Sequence, residues 1–117
     1  MKLLLALLVV AGITACGKAK DPQDQVKTKI NEFNVGGFGT VMMADFTITN
    51  NTKARVKDIE VRCNGYSETG TKIDTNVRTI YKAISPGTSI KVNQFNMGFI
   101  GTNVQTTRCS TTSFVQG

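Results

Sequence analysis

The chain has 117 residues, with 14 Lys and Arg against 8 Asp and Glu and a formal charge of +6. It contains no His and no Trp, so it offers no imidazole base for a Ser or Cys nucleophile and no His-ligated zinc site. The basic residues are spread along the chain and are not gathered beside aromatic residues, which argues against a nucleic-acid partner.

An apolar block opens the chain after a single basic residue. Residues 3–11 are all apolar, Gly12 and Ile13 continue the block, and the small residues Thr14 and Ala15 follow. A basic start, a short apolar region and small residues before a cleavage point are the layout of a secretory signal peptide. The block is too short to span a membrane, which takes about 20 apolar residues as a helix. The alternative is a buried N-terminal helix of a cytosolic domain, but that helix would lack a polar face.

The residues at the end of this block, ITAC at positions 13–16, resemble the lipobox of bacterial lipoproteins. The resemblance implies that residues 1–15 are removed and that Cys16 receives a diacylglycerol and an acylated amine. Two or more fatty chains hold a protein stably on a bilayer, so the bilayer is a predicted partner through Cys16. Gly17 stands where lipoproteins retained at the inner membrane usually carry Asp. The resemblance therefore implies the outer membrane, facing the periplasm.

The two cysteines beyond the lipobox, Cys63 and Cys109, predict a disulfide. A secreted chain folds in an oxidising compartment, where a pair of cysteines is usually joined. Closing the loop of about 47 residues between them contributes about 4 kcal/mol to the free energy of unfolding in the chain-entropy model. Two buried free thiols are the alternative.

The segment 16–26 is polar and contains Pro22, and it predicts a flexible tether between the lipid and a folded domain. From residue 27 onward the sequence predicts β-structure, because segments rich in Val, Ile and Thr alternate with Gly, Asn and Pro turns. The clearest strand lies around Ile59, Val61 and Cys63, which alternate with charged residues.

Side chains also alternate in the predicted strands before and after this one. One predicted face in residues 41–50 contains Met42, Ala44, Phe46 and Ile48, and another in residues 72–81 contains Ile73, Thr75, Val77, Thr79 and Tyr81. In residues 89–99 the alternation changes parity near Asn93, which predicts a bulge. Six or seven short strands in one small domain predict an antiparallel β-sandwich over residues 27–117.

The sequence FTITNNTKARVKDIEVRCNGYSETGTKI, together with ISPGTSIKV downstream, resembles the FxLYD-type immunoglobulin-like domains of secreted bacterial proteins. The shared features are an Asn-rich turn, the pattern Val-x-Asp-Ile-x-Val, a Tyr, a Gly turn and a Pro-Gly turn. This chain has Ser67 where an Asp is usual. The resemblance implies an immunoglobulin-like sandwich with an accessory role.

Two groups of residues are candidates for binding. Lys53, Arg55 and Lys57 form a basic cluster that can bind phosphate. The alternative is that these are ordinary solvated surface residues. Phe95 and Phe99 lie in a glycine-containing apolar segment, which is either an exposed adhesive loop or a core strand with a glycine bulge.

No catalytic residue, metal site or cofactor is predicted. Asp58 and Glu60 are two residues apart, as paired catalytic carboxylates can be, but Arg62 continues that face and favours a solvated surface. We therefore expect a non-enzymatic envelope lipoprotein that binds an envelope protein or another envelope component. The alternative is an exclusion lipoprotein, encoded by a phage or plasmid, that blocks an envelope receptor. An enzyme using scattered Asp, Glu, Tyr or Thr residues is the third possibility.

Overall fold

Six strands in two antiparallel sheets make up the fold. The structure is a computed structural model that describes residues 21–36 and 39–117. A single helical turn, α1 (Pro22–Gln25), precedes the strands β1 (Val26–Gly36), β2 (Val41–Asn50), β3 (Val56–Tyr66), β4 (Lys72–Ile80), β5 (Ser89–Phe99) and β6 (Thr106–Gln116). One sheet has the strand order β1-β2-β5 and the other has the order β4-β3-β6.

Strand connections divide the chain between the sheets in an immunoglobulin-like arrangement. The hairpins β1–β2 and β3–β4 stay within one sheet, whereas β5 returns to pair with β2 and β6 returns to pair with β3. Return connections of this kind are typical of Greek-key sandwiches. The predicted fold class is confirmed, with six strands.

The core lies between the two sheets and is built by period-two alternation. In β2 the burial alternates along the whole strand, because successive side chains point to opposite faces. The ring of Phe46 is fully buried, with its centroid 6.4 Å from that of Phe95. The buried apolar residues are Val26, Met42, Ala44, Phe46, Ile48, Val56, Ile59, Val61, Cys63, Ile80, Ile84, Val92, Met97 and Ile100.

The predicted disulfide between Cys63 and Cys109 is confirmed. Cys63 on β3 lies directly opposite Cys109 on β6, so the bond joins two neighbouring strands of the same sheet. Their Cα atoms are 4.0 Å apart. The disulfide therefore fixes the last strand of the chain to the central strand of its sheet.

Two irregularities in β5 decide which of its side chains enter the core. The predicted bulge near Asn93 is confirmed, since the register with β2 shifts there and Gln94 has a φ of 53°. A second shift occurs at Gly98, whose φ is 99° and where a Cβ atom would lie 2.6 Å from the Arg78 guanidinium. Because of this second shift Met97 is buried, whereas Phe99 is 77% exposed.

The predicted face of β4 lies on the outside of the sandwich. Ile73 and Tyr81 are exposed. The opposite face of β4 carries polar residues that tie it to the end of β5. The Asn76 amide donates to the carbonyl oxygens of Met97 and Phe99 at 2.8 and 2.6 Å. These hydrogen bonds join β4 of one sheet to the end of β5 of the other.

One buried asparagine organises the end of the sandwich where β1 begins and β2 ends, which we call the basal end; the opposite end is the distal end. Asn50 is fully buried. Its Nδ2 donates to the carbonyl oxygens of Ala54 and Ile84 at 2.8 and 2.9 Å. Its Oδ1 accepts from the backbone N–H and the hydroxyl of Thr52 at 2.9 and 2.6 Å. The β2–β3 turn and the Ile84 segment are thus held by one side chain.

Residue 21 is the first that the structure describes, so the helical turn α1 and Val26 precede the predicted start of the domain at residue 27. Residues Pro22–Gln25 form α1, and Val26 is fully buried at the start of β1. The predicted signal peptide, the lipobox cysteine Cys16 and the first part of the predicted tether lie outside the described residues. Within residues 21–36 and 39–117, no helix has the length and apolar character needed to cross a membrane.

Candidate binding surfaces

The three basic candidates lie together at the basal end. Lys53, Arg55 and Lys57 are exposed and occupy the β2–β3 turn and the first residues of β3. Arg55 also has a structural contact, because its guanidinium donates to the carbonyl oxygen of Gly117 at 2.6 Å. The chain enters the domain at this same end, through α1. The basal end is therefore a basic surface beside the N-terminal entry point.

The two aromatic candidates have different environments. Phe95 is half-buried and packs against the core beside Phe46. Phe99 is exposed at the distal end, where it pairs with Val41, the first residue of β2. Val35, near the end of β1, is also exposed there. The structure does not bring the aromatic and basic candidates together. The basic residues lie at the basal end, whereas Phe99 lies at the distal end, where β5 ends.

The paired carboxylates have local structural surroundings. Asp58 has a φ of 49° where the register between β3 and β6 shifts, the left-handed conformation that Asp tolerates better than most residues. Glu60 accepts a hydrogen bond from the hydroxyl of Thr112 on β6 at 2.7 Å. In the part of the chain that the structure describes, no group of three or more His, Cys, Asp and Glu could hold a metal ion.

A groove that the sequence analysis did not identify runs between β1 and β6. Two adjoining hollows of about 300 and 390 Å³ form it and share Lys27, Thr28 and Cys109 in their walls. The Thr28 and Thr111 hydroxyls, 2.7 Å apart, form a buried hydrogen bond across it. Helix α1 contributes Gln23 and Asp24 to the smaller hollow. The larger hollow opens further along, beside Ile30 and Thr107.

Both strands that flank the groove are edge strands of their sheets. The 4.0 Å separation of the Cys63 and Cys109 Cα atoms is close to the ~4.5 Å of a non-hydrogen-bonded antiparallel pair. The N–H and C=O of Cys109 therefore point away from β3 and toward the groove. Thr107 lies two residues earlier on the same side of the strand. A backbone edge that no strand of the described residues pairs with thus lines one wall of the groove.

The sequence contains a partial signal for this groove. A sandwich of two three-stranded sheets must have four edge strands, and Lys27 and Lys29 alternate along β1 as edge lysines often do. By contrast, β6 is rich in Thr and Ser and contains neither Lys nor Pro. What the sequence does not indicate is that these two edges face each other.

The chain matches no protein-family model, no curated protein and no solved structure. The lipobox and FxLYD resemblances stay predictions from the sequence.

Proposed function

We propose that this chain is a lipid-anchored lipoprotein of the bacterial envelope whose β-sandwich is a non-enzymatic binding module. The observation that carries the proposal is the sequence ITAC at positions 13–16, placed at the end of a signal-peptide layout. Cys16 then carries the fatty chains that hold the protein on the bilayer. With Gly17 after the cysteine, the proposed location is the outer membrane, facing the periplasm.

The entry point of the chain orients the domain under this proposal. Six Cα steps separate Cys16 from Pro22 and can span at most about 20 Å. The basal end therefore stays close to the membrane surface. Lys53 and Arg55, exposed at that end, can attract anionic lipid headgroups by about 1 kcal/mol each. The distal end and the groove remain available to a partner.

The hydrogen bonds of the acidic side chains support binding over catalysis. Asp45 accepts the backbone N–H of Gln94 at the β5 bulge, at 2.7 Å. Asp74 accepts the N–H of Gly101, also at 2.7 Å. Together with Glu60, these carboxylates hold strands and turns in place. Because the chain has no His, general acid–base chemistry would need other titratable side chains, and these three carboxylates have structural partners.

Changing Cys16 to Ser tests the anchor. The native chain is expected in the membrane fraction, with its mature form beginning at an acylated Cys16. The Cys16→Ser chain is expected to be unprocessed or soluble, because the lipid acceptor thiol is gone. Cell fractionation and the intact mass of the protein measure both properties.

Gly17→Ala is the matched control, since it alters the neighbouring residue and leaves the thiol. It should fractionate with membranes like the native chain. Unchanged membrane association and gel mobility of Cys16→Ser would contradict the lipoprotein assignment.

A further inference from the structure

We propose that the groove between β1 and β6 binds an extended acidic peptide segment of a partner protein, which adds as a strand to the free edge of β6. The proposal rests on the proposed function, because it names the surface and the partner chemistry of the binding module. Strand addition to an exposed sheet edge is a recurring mode of peptide recognition, in which the main chain supplies affinity and alternate side chains supply specificity.

Between Thr106 and Thr111, where its register with β3 is regular, the edge of β6 has little of the protection that other sheet edges have. Its 11 residues contain one charged side chain, Arg108, and neither Lys nor Pro. The edge of β1 carries Lys27, Lys29 and Glu32, and a bulge interrupts its register with β2 after Ile30. Charged side chains and bulges prevent unwanted strand pairing. Of the two edges that face the groove, β6 is therefore the one that can accept a strand.

Polar groups on β6 are available for pairing. The backbone N–H and C=O of Cys109 point into the groove, and no strand pairs with this side of β6 within residues 21–36 and 39–117. The hydroxyl of Thr107 is buried in the groove wall with no hydrogen-bond partner among the described residues. Buried polar atoms nearly always have a partner. An added peptide backbone supplies donors and acceptors along this edge.

The charge of the groove selects an acidic occupant. Lys27, Lys29 and Arg108 line the larger hollow, which contains no carboxylate. The Arg108 guanidinium lies 5.4 Å from the centroid of the Tyr66 ring, which orients it over the outer face of the sheet. A second copy of this basic chain would place like charges together, which disfavours pairing of two β6 edges. A partner segment that carries carboxylates would meet an excess of positive charge here, from Arg108 on β6 and from Lys27 and Lys29 on the opposite wall.

The alternation of side chains along a strand determines the sequence pattern of the bound segment. In a strand added to β6, every second side chain points toward the space between the sheets. There it meets Ile30 and the disulfide at Cys109. The intervening side chains face outward, on the side of Arg108. The segment therefore alternates apolar residues with acidic ones.

The test is peptide binding to the full lipidated chain in phosphatidylcholine vesicles, followed by fluorescence anisotropy. The probe is a labelled eight-residue peptide of alternating Val and Glu. We expect it to bind, and we expect affinity to fall at least tenfold for alternating Val and Lys. An equal fall is expected for the Val-Glu peptide with N-methylated alternate amides, which cannot donate to the edge of β6.

Two variants locate the site, and a third is the control. Thr107→Pro removes an N–H that points to the groove and leaves the ladder with β3 intact, and Lys29→Glu reverses an exposed charge on the opposite wall. Each should weaken binding at least tenfold. Lys91→Glu makes the same charge change on an exposed residue of β5 and should leave binding unchanged.

Equal binding by native chain, Thr107→Pro and Lys29→Glu would overturn the proposal. The proposal would also be overturned if the N-methylated peptide or the Val-Lys peptide bound as tightly as the Val-Glu peptide. Self-association of the chain through β6 in place of peptide binding would overturn it too. These outcomes concern only the groove. The proposed function has a separate test: membrane association of Cys16→Ser would refute the lipid anchor, whatever the result for the groove.

Discussion

Replacing Asn50 by Ala is expected to lower the free energy of unfolding by about 2–4 kcal/mol. The side chain is fully buried and makes four hydrogen bonds, two as donor and two as acceptor. Its removal leaves the hydroxyl and backbone N–H of Thr52 without their shared acceptor and opens a small void at the basal end. Urea denaturation followed by circular dichroism measures the change.

Asn51→Ala is the matched control, because Asn51 is the exposed neighbour of Asn50. Its backbone N–H donates to the carbonyl oxygen of Gln25 at 2.8 Å, and that bond survives the substitution. The control should change stability by less than about 0.5 kcal/mol. Equal destabilisation by the two substitutions would show that the buried network has no special role.

Removing the disulfide is expected to have a comparable effect. The bond closes a sequence separation of 46 residues, for which the chain-entropy model gives about 4 kcal/mol, and measured losses are typically about 2–5 kcal/mol. The double variant Cys63→Ala and Cys109→Ala should therefore melt about 10–20 °C below the native chain. Alanine is preferred to serine because Cys63 is only 2% exposed, and a serine hydroxyl there would add a burial cost.

Reduction of the native chain provides the control for this change. Calorimetry with reductant should reproduce the lower melting temperature of the double variant, because both lack the same covalent bond. A melting temperature that reductant does not alter would contradict a stabilising disulfide. Alkylation of Cys63 and Cys109 before reduction would show that the bond is absent in the purified protein.

The parts of the fold that follow from local alternation could be predicted from the sequence. Ile59, Val61 and Cys63 alternate with charged residues, and the structure buries all three on one face of β3. The parity change near Asn93 also predicted its bulge, because a strand can move side chains from one face to the other only by inserting a residue.

The second bulge of β5, at Gly98, was one of two alternatives for this glycine-containing segment, but the sequence did not indicate that the bulge leaves Phe99 exposed. Arg78 of the other sheet lies close to the backbone of Gly98 at this bulge, a contact between residues distant in sequence. Phe99 points outward although it continues the parity of Met97. The outward face of β4 has a similar origin, since Asn76 forms its hydrogen bonds with a strand of the other sheet. Local sequence patterns do not encode such contacts.

The groove was missed for the same reason. Its walls come from opposite ends of the described part of the chain, and Thr28 and Thr111, which form its hydrogen bond, are 83 residues apart in sequence. The basic cluster and Phe99 were identified as candidates from residue types alone, and the sequence left the exposure of Phe99 open. Their separation between the basal and distal ends depends on the direction of β5, which only the three-dimensional arrangement gives.

Photo-cross-linking in intact cells tests the proposed binding role most directly. A photoreactive residue replaces Lys29 in the groove, Phe99 at the distal end or Lys91 on the exposed surface of β5. The binding role predicts a discrete cross-linked adduct from Lys29 or Phe99 that is absent from Lys91 and is lost when Cys16 is also changed to Ser. The contradicting result is a membrane-bound, folded chain that gives no discrete adduct from any of the three positions.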